Sequence, residues 1–155
     1  IPQTQHRSAL AASGGPVQAV LLRQVLDGQF VGGLYAVNPK SEGAFGVPGF
    51  SSVLNIGQPV DLAIIASPAA TVTGVLEDCG KAGVGAAVVI TSGFGEMGNK
   101  AGEKEMLEMA QRYGIRIVGP NCAGIVNTSH RLFPTLEIHP PNGKVALILD
   151  LGTLF

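Results

Sequence analysis

Residues 116–124 read Arg-Ile-Val-Gly-Pro-Asn-Cys-Ala-Gly. A short β-branched run, Ile115 to Val118, follows directly on a helical pattern that Gly114 terminates. The run halts at Gly119-Pro120, because a proline cannot donate to a strand ladder. An amide and a thiol, Asn121 and Cys122, are then set down in a turn that Gly124 closes. A buried strand ending in Gly-Pro-polar-Cys-x-Gly is how an α/β sheet presents chemistry, at the carboxyl ends of its strands.

The same grammar recurs upstream. Ser8 to Ala12, Leu34 to Val37, Val60 to Ala66 and Ala86 to Ile90 are apolar runs of strand length. They end in Ser13-Gly14-Gly15, Asn38-Pro39-Lys40, Ser67-Pro68 and Thr91-Ser92-Gly93. Helical periodicity lies between them. Pro16 suits a first helical position, with Val17, Val20, Leu21 and Val25 spaced to face inward and Gly28 as the stop. Val72, Val75, Leu76 and Cys79 share one face of a second helix. Residues 103–113 form the clearest amphipath, with Met106, Met109, Ala110 and Tyr113 inward and Glu103, Lys104, Glu105 and Glu108 on a solvated face. Phe45 to Phe50 is expected as a short edge strand that tolerates Pro48, and Ser51 to Asn55 as a helical turn. A last strand is expected over Lys144 to Leu149.

Continuous apolar strands alternating with helices mean a parallel sheet covered on both faces. The expected fold is therefore α/β, a Rossmann-like doubly wound parallel sheet with helices on both faces. The expected domains are 1–142, and 143–155 as the first strand of a following domain.

Composition agrees with a buried sheet. Of 155 residues, 46% are hydrophobic and 14% charged, and 22 glycines suit tight connections. So low a charge content also suggests apolar surface covered by another domain or subunit. The net charge of −1, with no basic stripe and no tryptophan, disfavours nucleic acid as a partner. No apolar run approaches the roughly 20 residues of a membrane span. Two cysteines, Cys79 and Cys122, suggest a reducing compartment, and the cytoplasm is expected. Residues 1–7 are polar, without the apolar core of a signal peptide or an initiator Met, as in a fragment or processed product.

Strand ends on one edge of a parallel sheet form a composite crevice. A glycine turn before a helix exposes amides that suit an anion, and Lys40 adds a positive charge to that edge. A phosphate-bearing nucleotide fits this pattern. An NAD site would want G-x-G-x-x-G after the first strand and an acid after the second; neither is present. Lys40 in the acid's place favours a phosphate, which leaves an NADP-binding oxidoreductase domain open. Cys79 reads as a core thiol, whereas Cys122 can be structural or functional. His130 and His139 have no metal spacing and read as solvated. Asp61 opens a strand and reads as structural.

Five segments together resemble one family. Tyr35-Ala-Val-Asn-Pro-Lys40, Val60 to Pro68, Ala86 to Phe94, Gly119 to Asn127 and Ile138 to Ile148 resemble, in order, the CoA-binding domain of NDP-forming acyl-CoA synthetases, relatives of the succinyl-CoA synthetase alpha subunit. The resemblance implies that CoA lies across the strand ends. It implies phosphate contacts from Ser13, Gly14, Gly15 and Val17, and from Lys40. It places further CoA contacts at Ser67 and Pro68 and at Thr91, Ser92 and Gly93. Asn121 and Cys122 would edge the site of phosphohistidine and thioester chemistry. The family's reaction joins an acid to CoA at the expense of ATP or GTP, with Mg²⁺. Those groups, and further ligase domains or a beta-type subunit in an oligomer, would lie outside this chain. A standalone CoA-binding or regulatory module is the alternative.

Three departures from the family pattern stand out. The first loop, Ala11 to Pro16, is shorter than the family's. Leu149-Asp150-Leu151-Gly152 replaces its Ser-x-Ser-Gly turn. None of His6, His130 and His139 matches its phosphorylated histidine, which lies in the next domain.

Overall fold

The computed structural model describes residues 7–12, 16–138, 140, 141 and 143. The Ser13-Gly14-Gly15 turn, His139 and the strand expected over Lys144 to Leu149 lie outside the described residues.

Six strands form one parallel sheet: β1 (Arg7–Ala12), β2 (Gly33–Val37), β3 (Gly49–Phe50), β4 (Leu62–Ala66), β5 (Ala86–Val89) and β6 (Arg116–Val118). Their lateral order is β3-β2-β1-β4-β5-β6. Three helices make crossovers: α1 (Pro16–Asp27) leads to β2, α2 (Ala69–Lys81) to β5 and α3 (Lys100–Tyr113) to β6. The chain runs outward from β1 on one side and restarts beside it at β4. A topological switch point therefore lies between β1 and β4, which pair from Ser8↔Leu62 to Ala12↔Ala66. This is the doubly wound arrangement the alternating pattern implies.

The strands sort their side chains by parity. Ala63 and Ile65 of β4 and Ala87 and Val89 of β5 join one buried cluster with Val72, Leu76 and Cys79 of α2 and Met106 and Ala110 of α3. Ile64 and Val88 point the other way, into a cluster with Leu21 and Leu22 of α1. Both faces are covered, so the runs are apolar at every position rather than at alternate ones. Each fully buried Leu or Ile contributes about 1.5–3 kcal/mol of transfer free energy.

The second face departs from a regular doubly wound sheet. Among the described helices only α1 covers it. Beside α1 lies an irregular return, with Cys122 and Ile125 packed on the cluster. This return is pinned to α1 at its far end. Gln24 Nε2 donates to the Glu137 carbonyl at 3.0 Å and Arg131 Nη1 to Gln29 Oε1 at 2.8 Å. Phe133 is buried against Gly28, where any Cβ would overlap its ring.

Several expectations need correction. The inward face of α1 is Leu21, Leu22 and Val25; Val17 and Val20 are each 43% exposed. The sheet is reached one position further round the helix than the valine spacing suggests. β6 is not a buried strand but the sheet edge, with Arg116 and Val118 exposed, because no strand among the described residues pairs on its outer side. The edge strand expected over Phe45 to Phe50 shrinks to Gly49–Phe50. Before it, Ala44 and Val47 form an antiparallel bridge around Phe45 and Gly46, both at positive φ. The turn expected near Ser51 to Asn55 is a 3-10 turn, Val53–Asn55, capped by the Ser52 hydroxyl.

Candidate functional site

All the strands are parallel, so their carboxyl ends share one edge. There a crevice of about 610 Å³ opens. It starts at the switch point, with Val17 from the first turn of α1 and Ser67, Pro68 and Ala69 from the β4–α2 junction. It continues past Ile90, Thr91 and Ser92 after β5 to Asn121, Cys122 and Ala123 after β6. Leu136 completes it from the return segment.

Of the residues singled out in the sequence, Val17, Ser67, Pro68, Thr91, Ser92, Asn121 and Cys122 line this crevice. Gly93 and Lys40 do not. Lys40 is exposed in the loop after β2, which the buried Asn38 organises by accepting from the Lys40 amide at 3.1 Å and donating to the Glu42 carbonyl at 2.8 Å. Local reading missed Ala66, Ala69, Ile90, Ala123 and Leu136. Leu136 gives no local signal, because a contact arriving from a distant irregular segment has no periodicity.

The strand-end loops are tied to one another. Thr91 Oγ1 donates to the Ser67 carbonyl at 2.7 Å, so its one proton is spent bridging the β4 and β5 loops. The Asn121 amide donates to the Thr91 carbonyl at 2.9 Å, joining the β6 loop to the same point. Asn121 takes a left-handed φ of 55°, which an asparagine tolerates. Ser67 is buried, and its hydroxyl pairs with that of Thr71 at 3.0 Å.

The charge pattern separates the helices. Neither α1 nor α2 carries an acid in its first turn, and α2 starts from Pro68 without a side-chain cap. Both present the positive end of the helix dipole to the crevice without a neutralising group of their own. α3, whose N-terminus is not among the crevice walls, is served by its own side chains. Asn99 accepts from the Gly102 amide at 3.0 Å, and Glu103 accepts from the Gly95 amide at 2.8 Å. Glu103 is thus a loop anchor rather than part of a solvated face.

The two thiols differ. Cys79 is 1% exposed, and burial pushes its pKa up to about 12. Cys122 is half-buried, and its thiol faces the Val89 carbonyl at 3.4 Å. Burial raises its pKa too, above the ordinary thiol value. Both thiols are therefore protonated at neutral pH. Iodoacetamide is expected to modify the native protein at Cys122 only, slowly at pH 7 and about tenfold faster per pH unit below its pKa, while Cys79 reacts only on unfolding. Peptide mapping after timed alkylation checks this; rapid labelling of Cys122 at pH 7 would contradict it.

Among the described residues no group of three or more His, Cys, Asp or Glu could hold a metal ion, and no helix is long and apolar enough to cross a membrane.

The profile of the CoA binding domain family matches residues 19–128, most of the chain. The chain belongs to the CoA binding domain family. It is 43% identical over 141 residues to an ADP-forming acetate–CoA ligase of Methanocaldococcus jannaschii, covering 90% of this chain and 20% of the ligase. It is 46% identical over 125 residues to the alpha subunit of an ADP-forming acetate–CoA ligase II of Pyrococcus furiosus, covering 79% of this chain and 27% of that subunit. The dinucleotide-forming acetyl-coenzyme A synthetase 1 of Ca. Korarchaeum cryptofilum, solved with phosphate and ADP, superposes with a TM-score of 0.79 at 38% identity. That match covers 84% of this chain and 29% of the synthetase chain. The chain thus corresponds to the CoA-binding part of ADP-forming acyl-CoA ligases and spans a third or less of each of these relatives.

Proposed function

We propose that CoA lies along the strand-end crevice and that this chain is the CoA-binding part of an NDP-forming acyl-CoA ligase. The reaction of the whole enzyme would be acid + CoA + NTP to acyl-CoA + NDP + phosphate. The observation that carries the reading is the position of the crevice. It straddles the switch point, where two helix N-termini without acids of their own meet a wall of small and apolar side chains.

In this reading the phosphates of CoA sit at the first turns of α1 and α2. Ser13, Gly14, Gly15 and Val17 supply contacts at α1, and Ser67 and Pro68 at α2, with Lys40 as an added cation. Thr91 and Ser92 flank the pantetheine arm, and Gly93, behind the wall, fixes the turn that carries Ser92. The Thr91 proton is already taken by the Ser67 carbonyl, so Thr91 fixes the wall, and Ser92, whose hydroxyl has no partner among the described residues, offers the donor. Asn121 and Cys122 edge the thiol end of CoA. They bind and orient, with Cys122 held mainly as the thiol at neutral pH because burial raises its pKa. The phosphohistidine, ATP or GTP and Mg²⁺ belong to further domains or a beta-type subunit. That an alpha subunit is among the relatives supports such a division of labour in an oligomeric enzyme. The cytoplasm is its proposed compartment. Residues 1–142 would be the CoA-binding domain and 143–155 the passage into the next.

Calorimetric titration with CoA tests the reading. Saturable binding is expected, and CoA at 100 times its Kd should add about 2.7 kcal/mol to the unfolding free energy. Absence of heat at millimolar CoA with a folded protein would sink it. Binding of NADPH with indifference to CoA would move the chain to the oxidoreductase class instead.

A further inference from the structure

We infer that Glu96 and Asn99 are positioning residues for the CoA crevice, acting through the Ser92–Gly93 turn; the inference rests on the functional reading above. Ser92 is exposed on the crevice wall and, among the described residues, makes no side-chain hydrogen bond that would hold it there. Its place is set by its two neighbours. On one side Thr91 is tied to Ser67 by its hydroxyl and to Asn121 by its carbonyl. On the other side Gly93 is held by two side chains from outside the crevice. The Glu96 carboxylate accepts from the Gly93 amide, and also from the Phe94 amide at 3.2 Å. Asn99 Nδ2 donates to the Gly93 carbonyl at 3.1 Å.

Glu103 takes the next amide, Gly95, so carboxylates hold three consecutive N–H groups. Below them Phe94 is 1% exposed, and its carbonyl accepts from the amides of Met97 at 3.0 Å and Asn99 at 2.8 Å. Gly93 itself stands at φ 106°, so close over α2 that a Cβ there would lie 3.2 Å from Ala69. The turn has no regular secondary structure to hold it. Removing its carboxylate leaves Gly93 free to leave the left-handed region, and Ser92 moves with it. Glu96 and Asn99 touch no crevice space, so their effect on a ligand passes through Ser92.

A double-mutant cycle measured by CoA calorimetry separates positioning from general support. Glu96→Ala is expected to weaken CoA about tenfold, as loss of a charged hydrogen-bond acceptor would. It should lower the thermal midpoint by only a few degrees, the cost of one exposed charged hydrogen-bond acceptor, so the variant stays folded during the titration. In a Ser92→Ala background the same change should cost less than about twofold, because the group being positioned is gone. Glu96→Gln, which keeps one carbonyl acceptor, should recover part of the affinity, and it replaces Glu96→Ala in the cycle if that variant does not fold. CoA affinity within about twofold of the parent in Glu96→Ala, or losses that multiply in the double variant, would overturn the inference. Absence of CoA binding by the parent protein would instead sink the functional reading on which it rests.

Discussion

Gly119→Ala is expected to destabilise the protein by about 2–6 kcal/mol, the sum of a backbone and a steric cost. Gly119 joins β6 to the Asn121–Cys122 turn at φ 99°, a conformation that costs an L-residue of order 1–3 kcal/mol. Space adds a separate penalty. A Cβ at this position would be driven into the Val89 carbonyl oxygen, which is backbone of β5 and cannot rotate away. It would also approach Cys122 Sγ at 3.2 Å, displacing the thiol from that same carbonyl. Gly114→Ala separates the two costs. Gly114 closes α3 at φ 67°, with nothing within 4 Å of an added methyl group, so backbone strain acts alone at about 1 kcal/mol. Urea denaturation of both variants reads the difference. Equal midpoints would show that the Val89 contact does not matter. Because the turn carries Asn121 and Cys122, CoA affinity should fall for the Gly119 variant and hold for the Gly114 variant.

Phe94→Ala should cost about 3–5 kcal/mol, the usual penalty for emptying a buried aromatic site. Phe94 is among the largest fully buried side chains and belongs to the cluster that includes Val89, Met106 and Ala110. Small domains hold about 5–15 kcal/mol in total, so this loss brings the variant close to unfolding at physiological temperature. Met97→Ala is the control: Met97 is 76% exposed in the same loop and should change stability by no more than about 0.5 kcal/mol. A shift of the urea midpoint without a change of slope is the expected signature. Loss of under about 1 kcal/mol would mean that the loop, not the core, holds this ring. The variant also exposes how the crevice is built, since the Phe94 backbone anchors the turn that carries Ser92.

Most of the architecture was legible in the chain. Val60 to Ala66 and Ala86 to Ile90 are apolar at nearly every position, and only burial on both faces accounts for that. Their ends were legible because Pro68, Gly93 and Gly119-Pro120 forbid regular continuation. Cys79 at helical spacing with Val72 and Leu76 is buried as its pattern implies. The valine spacing of α1 misled because Val17 sits at the crevice mouth, where an exposed apolar residue lines a site rather than a core. Glu103 misled because an acid on the outer face of a helix looks the same whether it meets water or the Gly95 amide.

What the sequence determined by itself was the kind of each element and where it stops, because periodicity and turn chemistry act over a few residues. Only the tertiary structure decided how the elements stand side by side. The order β3-β2-β1-β4-β5-β6 leaves β6 at an edge, although its composition resembles that of the central strands. It also brings Val17, Ser67, Ser92 and Asn121 around one crevice, from loops separated by dozens of residues, and adds Leu136 from a segment with no regular pattern. Glu96 shows the same division at close range: its charge is plain in the chain, but its hold on Gly93 depends on a loop that closes over a buried phenylalanine. Strand pairing and packing are long-range free energies, and no short window of sequence contains them.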